Sequence, residues 1–259
     1  AKLTKITLYK IPANTLFVGK NLVFVPDCHS TNSLAMDLGQ RGSMAQGTVI
    51  ITDNQYSGRG QRGNRWISEP GKNLTFSVLL KPDIRADQQF ILTQVVALAV
   101  ADYVKTKTTG IKIKWPNDIL VSDKKICGIL IESSLTGAVV QFVIAGAGIN
   151  VNQTVFQNPR ATSLKVETNI EYNLNNELHE LLGALEARYL QWREGNVDKL
   201  QQEYHQNLYR LGEQHEFKTQ QSRFRGAIDS VDANGRLRVK SDTGMHTFDL
   251  KEISFADWA

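Results

Sequence analysis

Cationic side chains set among glycines are the first residues here that can do chemistry. Residues 55–74, QYSGRGQRGNRWISEPGKNL, put Arg59, Arg62, Arg65 and Lys72 beside Gly58, Gly60, Gly63 and Gly71. Glycine lets a backbone approach a ligand closely and turn its N–H groups inward as an anion nest. The guanidinium groups are suited to neutralising phosphate oxygens. Trp66 and Asn73 are suited to bracketing a flat ring, one by stacking and the other by hydrogen bonding.

Four further polar islands belong with this loop. HSTNSL (29–34) offers Ser30, Thr31 and Asn32 as small hydrogen-bonding groups between two elements. KIKWPNDIL (112–120) sets Lys114, Trp115, Asn117 and Asp118 around a proline turn, and DKKICGILIE (123–132) brings Lys125 to the start of an apolar strand with Gly128 leaving room beside it. AGAGIN (145–150) ends a buried strand on two glycines and Asn150. Together the islands supply two cationic clamps, several amides and an aromatic of purine size.

The letters G-x-G-x-x-G from Gly58 to Gly63 follow a strand, as a dinucleotide fingerprint requires, but no helix follows them. Pro70–Gly71 interrupts that stretch, and without a helix N-terminus a pyrophosphate has no dipole to dock on. No P-loop, kinase, G-x-S-x-G or H-E-x-x-H pattern occurs; His179–Glu180 is followed by Leu-Leu-Gly.

The elements that must position these groups read as follows. Strands are predicted over 22–28, 47–53 and 73–82 from their β-branched and apolar runs, the last stopped by Pro82. Ser30 or Thr31 caps a helix carrying Leu34, Ala35 and Leu38, ended by Gly39 or Gly42. Apolar spacing predicts a helix from Asp87 to about Lys107, and Leu178, Leu181, Leu182, Leu185, Tyr189 and Trp192 mark another. A more polar helix follows over 197–208. Residues 111–151 read as antiparallel strands joined by polar turns at 122–124 and 135–137. Beyond Gly212, short alternating segments separated by Asn234–Gly235 and Thr243–Gly244 predict a small β module. The fold class is therefore α+β, a mixed and mainly antiparallel sheet with helices over 1–211, followed by the small β module over 212–259.

Length and composition agree with a soluble globular protein: 259 residues, 41% hydrophobic and 22% charged, enough for one large core or one large and one small. A net charge of +4 fits a phosphate-handling enzyme as well as a nucleic-acid binder. Cys28 and Cys127 stand far apart, which argues against a disulfide scaffold or zinc site and for a reducing, cytoplasmic setting. No apolar run reaches the roughly 18 residues of a membrane helix, so no membrane partner is expected.

The islands STN, QYSGRGQRGNRW, KWPNDI, KKICGILIE and AGAGINV resemble, in sequence and in order, the biotin–protein ligases. That family's patterns are roughly S-T-N, G-R-G-x-x-G-x-x-W, K-W-P-N-D, K-x-x-G-I-L-x-E and G-x-G-x-N. The resemblance covers about residues 30–150 closely. It implies a class II synthetase-like catalytic domain followed by a small SH3-like β-barrel. It also implies a two-step reaction: biotin and ATP give biotinyl-5'-AMP and pyrophosphate, and the biotinyl group then passes to a lysine of a biotin carboxyl carrier domain.

Residue by residue, the resemblance implies biotin contacts at Ser30, Thr31, Asn32, Gln55, Gly58, Arg59, Gly60, Gln61, Lys125 and Gly128. The nucleotide side takes Arg62, Trp66, Asn73, Lys114, Asn117 and Asn150. Arg59 and Lys125 screen charge during adenylation, and Asp118 orients or deprotonates the incoming lysine amine. ATP enters with Mg2+ and biotin is the other substrate; no metal set from side chains and no tightly bound prosthetic group is expected. Residues 58–72 are expected to be mobile without ligand and ordered over the adenylate, which hydrolyses readily if left open.

Gln61 is a departure, since many members carry arginine there, and this bears on adenylate retention; Arg62 is the neighbouring cation. Bifunctional members carry an N-terminal helix-turn-helix of about 60 residues, whereas the stretch before Ser30 reads as short and β-like, so no specific DNA binding is expected. An exposed sheet edge leaves room for a homodimer or for the carrier by strand addition. Two other readings stay open: a lipoate or octanoate ligase of similar fold, and a nucleic-acid binder using the basic loop.

Overall fold

Alternating burial along three strands shows how the core is divided. Val49, Ile51, Phe76, Val78, Val143 and Ala145 belong to one apolar cluster, while Ile50, Leu79 and Ile144 belong to another. Successive strand residues face opposite ways, so one sheet lies between two packed layers. In the computed structural model, which describes residues 9–258, that sheet has seven strands. They are β1 (Leu22–Cys28), β2 (Val49–Gln55), β3 (Leu74–Leu80), β4 (Ile111–Lys114), β5 (Asp118–Val121), β6 (Lys124–Thr136) and β7 (Val139–Ile149). The order is β1-β2-β3-β7-β6-β5-β4, with β1 parallel to β2 and the other pairs antiparallel.

The single parallel pair follows from α1 (Thr31–Gln40), which crosses over between β1 and β2. Ser30 caps α1, its hydroxyl accepting from Ser33 N. Of the two stops that the sequence offers, Gly42 is the one used: α1 ends at Gln40, Arg41 is its C-cap and Gly42 takes positive φ, while at Gly39 a Cβ would lie 2.8 Å from the Phe142 ring. On the opposite layer, α2 (Phe90–Lys105) is buried on nearly all sides and packs against α4 (Leu174–Arg193) and α5 (Val197–Gln206). A short helix α3 (Leu164–Thr168), capped by Ser163, was not legible as a periodic run.

The second sheet holds β8 (Gln214–Thr219), β9 (Arg223–Val231), β10 (Leu237–Ser241), β11 (Gly244–Phe248) and β12 (Ile253–Phe255), all antiparallel, in the order β11-β10-β9-β8-β12. Its two predicted turns are present, with Gly235 and Gly244 at positive φ. Gly235 also joins the two sheets, its carbonyl accepting from Trp115 Nε1 at 2.9 Å. A Cβ on Gly235 would meet the Phe90 ring at 2.4 Å, so this turn sits tightly against the start of α2.

Candidate active site

The face of the large sheet that carries α1 is only partly covered, and the gap is the site. Gly128 and Gly148 are register partners on β6 and β7, which leaves bare backbone as a floor. Trp66 lies on that floor: a Cβ at Gly148 would fall 2.3 Å from Trp66 Cε2, and one at Gly128 would fall 3.1 Å from Trp66 Cζ3. Trp66 Nε1 is buried without a hydrogen-bond partner among the described residues.

Beside the floor, buried polar groups of α1, β2 and β3 form a connected bowl. Gln55 Oε1 accepts from Thr31 N at 2.9 Å, and Thr31 Oγ1 lies 2.8 Å from Ser77 Oγ. Ser77 donates to Asn32 Oδ1 at 2.6 Å, while Asn32 Nδ2 donates to Glu132 Oε2 at 2.8 Å and to the Leu130 carbonyl at 3.2 Å. Gly146 makes room for Asn32, since a Cβ there would sit 2.0 Å from its Oδ1. Asn32 is thus fully engaged by the protein and orients its neighbours. Ser77 is a functional candidate that motif reading missed, and Glu132, the last letter of K-x-x-G-I-L-x-E, had no role assigned to it. Glu132 had a signal, because period-two alternation places it on the strand face shared by Gly128 and Leu130.

The glycine–arginine loop is folded as a tongue over this bowl. Gly60 N donates to the Asn64 carbonyl at 2.7 Å, Trp66 N donates to the Gly58 carbonyl at 3.0 Å, and Arg59 bridges to Arg65 across a single 3-10 turn at Gln61–Gly63. Gly58 is needed for this closure, as a Cβ there would fall 2.3 Å from the Trp66 carbonyl oxygen. Arg59 Nη2 reaches Glu132 Oε2 at 2.7 Å. The Arg62 side chain lies outside the described part of the structure.

Opposite the tongue, Lys125 Nζ lies 2.6 Å from Asp118 Oδ1, with Lys114 Nζ at 3.9 Å from Asp118 Oδ2. Lys125 is fixed through its backbone: its N–H donates to the Arg160 carbonyl at 2.7 Å and its carbonyl accepts from Thr162 N at 2.9 Å. Burial holds the Lys114 ammonium below the usual lysine range; Asp118 opposes this, while Lys125 and Arg160 add to it. Asn117 ties the Trp115–Pro116 turn to β6 through a hydrogen bond to the Ile129 carbonyl.

These groups line one cavity of about 430 Å3. Of the predicted site residues, it gathers Ser30, Thr31, Asn32, Gln55, Arg59, Gly60, Gln61, Trp66, Lys114, Asn117, Asp118, Lys125 and Gly128. Gly58, packed against the Trp66 carbonyl, stands outside its lining, as do Asn73 and Asn150. Asn73 donates to Gln153 Oε1 at 2.7 Å and accepts from Val151 N at 2.9 Å, and Asn150 donates to the Thr162 carbonyl at 2.9 Å. Both amides hold neighbouring chain segments in place. No group of three or more His, Cys, Asp or Glu side chains among the described residues is arranged to hold a metal ion.

A mixed sheet with a bare glycine floor, a polar bowl and cations on two sides defines an α+β protein with a site for a small molecule that carries negative charge. The comparisons give its family. The sequence profile of the biotin/lipoate A/B protein ligase family matches residues 26–150. The bifunctional ligase/repressor BirA of Bacillus subtilis (strain 168) is 30% identical over 250 residues, spanning 94% of this chain and 75% of that protein. The biotin–[acetyl-CoA-carboxylase] ligase of Paracoccus denitrificans is 28% identical over 238 residues, spanning 87% and 97%. The solved structure of biotin protein ligase from Aquifex aeolicus in complex with biotin and ATP aligns with a TM-score of 0.76 at 25% identity, covering 91% of this chain and 98% of that one. The chain belongs to the biotin/lipoate A/B protein ligase family and stands among its biotin–protein ligases.

Proposed function

We propose that the protein joins biotin to ATP as biotinyl-5'-AMP and then transfers the biotinyl group to a lysine of a biotin carboxyl carrier domain. In the first step a biotin carboxylate oxygen attacks the α-phosphorus, the bond to the bridging oxygen breaks, and pyrophosphate leaves with the electron pair. In the second, the lysine amine attacks the acyl carbon, AMP leaves, and the amine gives up a proton. Both steps need screening of adjacent negative charges and little covalent help from the protein.

The observation that carries this reading is the cavity itself, where a hydrogen-bonding bowl and the cation group Arg59, Lys114 and Lys125 open onto one floor. Biotin's ureido ring has donors and acceptors to match Ser30, Thr31 and Gln55, and its tail lies along Gly128 toward Lys125. Gly58, Gly60 and Gln61 supply tongue backbone to that tail. Trp66 leaves its seat on the Gly148 floor to stack on the nucleotide, which supplies its orphaned N–H with a polar setting; Lys114 and Asn117 flank the phosphates. Mg2+ arrives with ATP as part of the substrate. The tongue, residues 58–72, orders over the adenylate, so protease sensitivity there should fall with biotin plus ATP. A polar bowl favours a ureido ring over the apolar ring or chain of lipoate or octanoate.

The division at 211/212, a cytoplasmic location and a sheet edge open to a second copy or to the carrier by strand addition belong to the same reading. Among the described residues no helix is long and apolar enough to cross a membrane. The deciding experiment is ATP–pyrophosphate exchange with biotin, lipoate and octanoate supplied separately. Exchange with biotin alone is the expected result, and exchange with lipoate or octanoate would transfer the protein to the sister ligases.

A further inference from the structure

The end of the chain returns to the active-site cavity. After β12, a single 3-10 turn, Ala256–Trp258, brings Trp258 into the cavity lining. Two cations lie over its ring: Lys114 Nζ is 4.6 Å from the centroid and Arg160 Cζ is 4.8 Å from it. The turn is anchored. Arg210 donates to both carboxylate oxygens of Asp257 at 2.9 and 2.8 Å, Arg160 Nη2 donates to the Asp257 carbonyl, and Tyr209 packs edge-on against Trp258 at 5.9 Å.

The two cations come from unrelated segments. Lys114 ends β4, and Arg160 lies in the connection after β7, where its carbonyl accepts from Lys125 N. Arg160 is in none of the sequence motifs, yet it stands beside Lys114 and Lys125. Like charges gathered in a partly buried place repel one another and lose hydration. Asp118 offsets this chiefly at Lys125, 2.6 Å away, and stands 3.9 Å from Lys114. An indole face attracts both cations while leaving their N–H groups to other acceptors.

We infer that Trp258 is a positioning residue for the nucleotide half of the site, holding Lys114 and Arg160 with their donors toward the phosphates of ATP. This rests on the ligase reading above and gives the second sheet a defined part in it, since the turn that follows β12 carries the ring.

The test uses the full chain with Trp258→Leu and Trp258→Phe, in biotin-dependent ATP–pyrophosphate exchange at varied ATP and at varied biotin. Trp258→Leu is expected to raise KM for ATP about tenfold and to move KM for biotin by less than about twofold, with Trp258→Phe recovering most of the loss. The contact is read separately by reductive methylation of the lysines with isotope-enriched formaldehyde. The Lys114 signal, assigned through Lys114→Arg, should show a ring-current shift that Trp258→Phe keeps and Trp258→Leu loses. Equal loss in both variants, with kcat and melting temperature falling and both KM values rising together, would overturn the inference in favour of simple packing. So would an unchanged KM for ATP in Trp258→Leu. Absence of exchange by the parent chain would sink the ligase reading itself, and this inference with it.

Discussion

Glu132 Oε2 lies 2.7 Å from Arg59 Nη2, an ion pair between residues 73 positions apart. The same oxygen accepts from Asn32 Nδ2 at 2.8 Å, so one carboxylate fastens the tongue to the bowl. Occupation of the bowl and the position of Arg59 are thereby linked through Gln55, Thr31, Ser77 and Asn32.

Glu132→Gln keeps an acceptor for Asn32 and removes the charge that draws Arg59. Because the Arg59 side chain is 46% exposed, the pair is a screened one, and the expected effect is about a fivefold rise in KM for biotin. Glu132→Ala should cost more, since it also strands the buried Asn32 amide. Exchange kinetics at saturating ATP check this; identical values for parent and Glu132→Gln would remove Glu132 from the site.

Asp118 is engaged by Lys125 at 2.6 Å, and it must leave that pair before it accepts a proton. Asp118→Asn is expected to slow transfer from preformed adenylate about 100-fold and adenylation about tenfold, the second because Lys125 loses its partner. Single-turnover transfer and pyrophosphate exchange measure the two separately. Equal slowing of both would assign Asp118 to holding Lys125 alone.

Burial keeps the Lys114 ammonium below the usual lysine range, and the charged form is the one that binds phosphate. As pH rises, that charge is lost early, so kcat/KM for ATP should begin to fall below the ordinary lysine pKa of about 10.4. Bound ATP favours the charged form, which moves the limb in kcat to higher pH than the limb in kcat/KM. Lys114→Arg should shift the kcat/KM limb upward, since a guanidinium stays charged. A limb unmoved by Lys114→Arg belongs to another group.

Glu186 on α4, buried at 5% exposure, accepts the backbone N–H groups of Leu16, Phe17 and Val18 at 2.5, 2.7 and 2.9 Å. Glu186→Ala strands those donors and is expected to cost about 3 kcal/mol. For a chain of this size that is a fall of about 6–12 °C in Tm by calorimetry. A drop below about 2 °C would mean that water replaces the carboxylate without loss.

Much of this was legible before any fold was known. Turn residues, caps and period-two alternation are local signals, so the first three strands, the antiparallel run over 111–151, the four longer helices and the cap at Ser30 could be read from neighbours in the chain. Boundaries slipped by two or three residues, as for the strand expected over 47–53 and found at Val49–Gln55, whereas Gly42 ends the first helix as one of its two expected stops. Ser30–Asn32, Gln55, Arg59–Gln61, Lys114–Asp118 and Lys125–Gly128 could be grouped by chemical type, and all of them except Trp115, Pro116, Ile126 and Cys127 had a ligand role assigned in advance. Asn73 and Asn150 share that chemical type, and their amides bond neighbouring chain segments outside the cavity lining.

By itself, then, the sequence determined the class of fold and the chemistry on offer: cations among glycines, small amides, and an aromatic beside them. Tertiary structure alone decided which groups meet. Glu132 finds Asn32 and Arg59 because Leu130 pairs with Gly146 on β7 and Gly146 lies under Asn32. Trp258 finds Lys114 and Arg160 because the second sheet folds back against the Trp115 turn. Such meetings depend on strand register and on which face of a sheet each side chain takes, and a shift of one residue reverses every face.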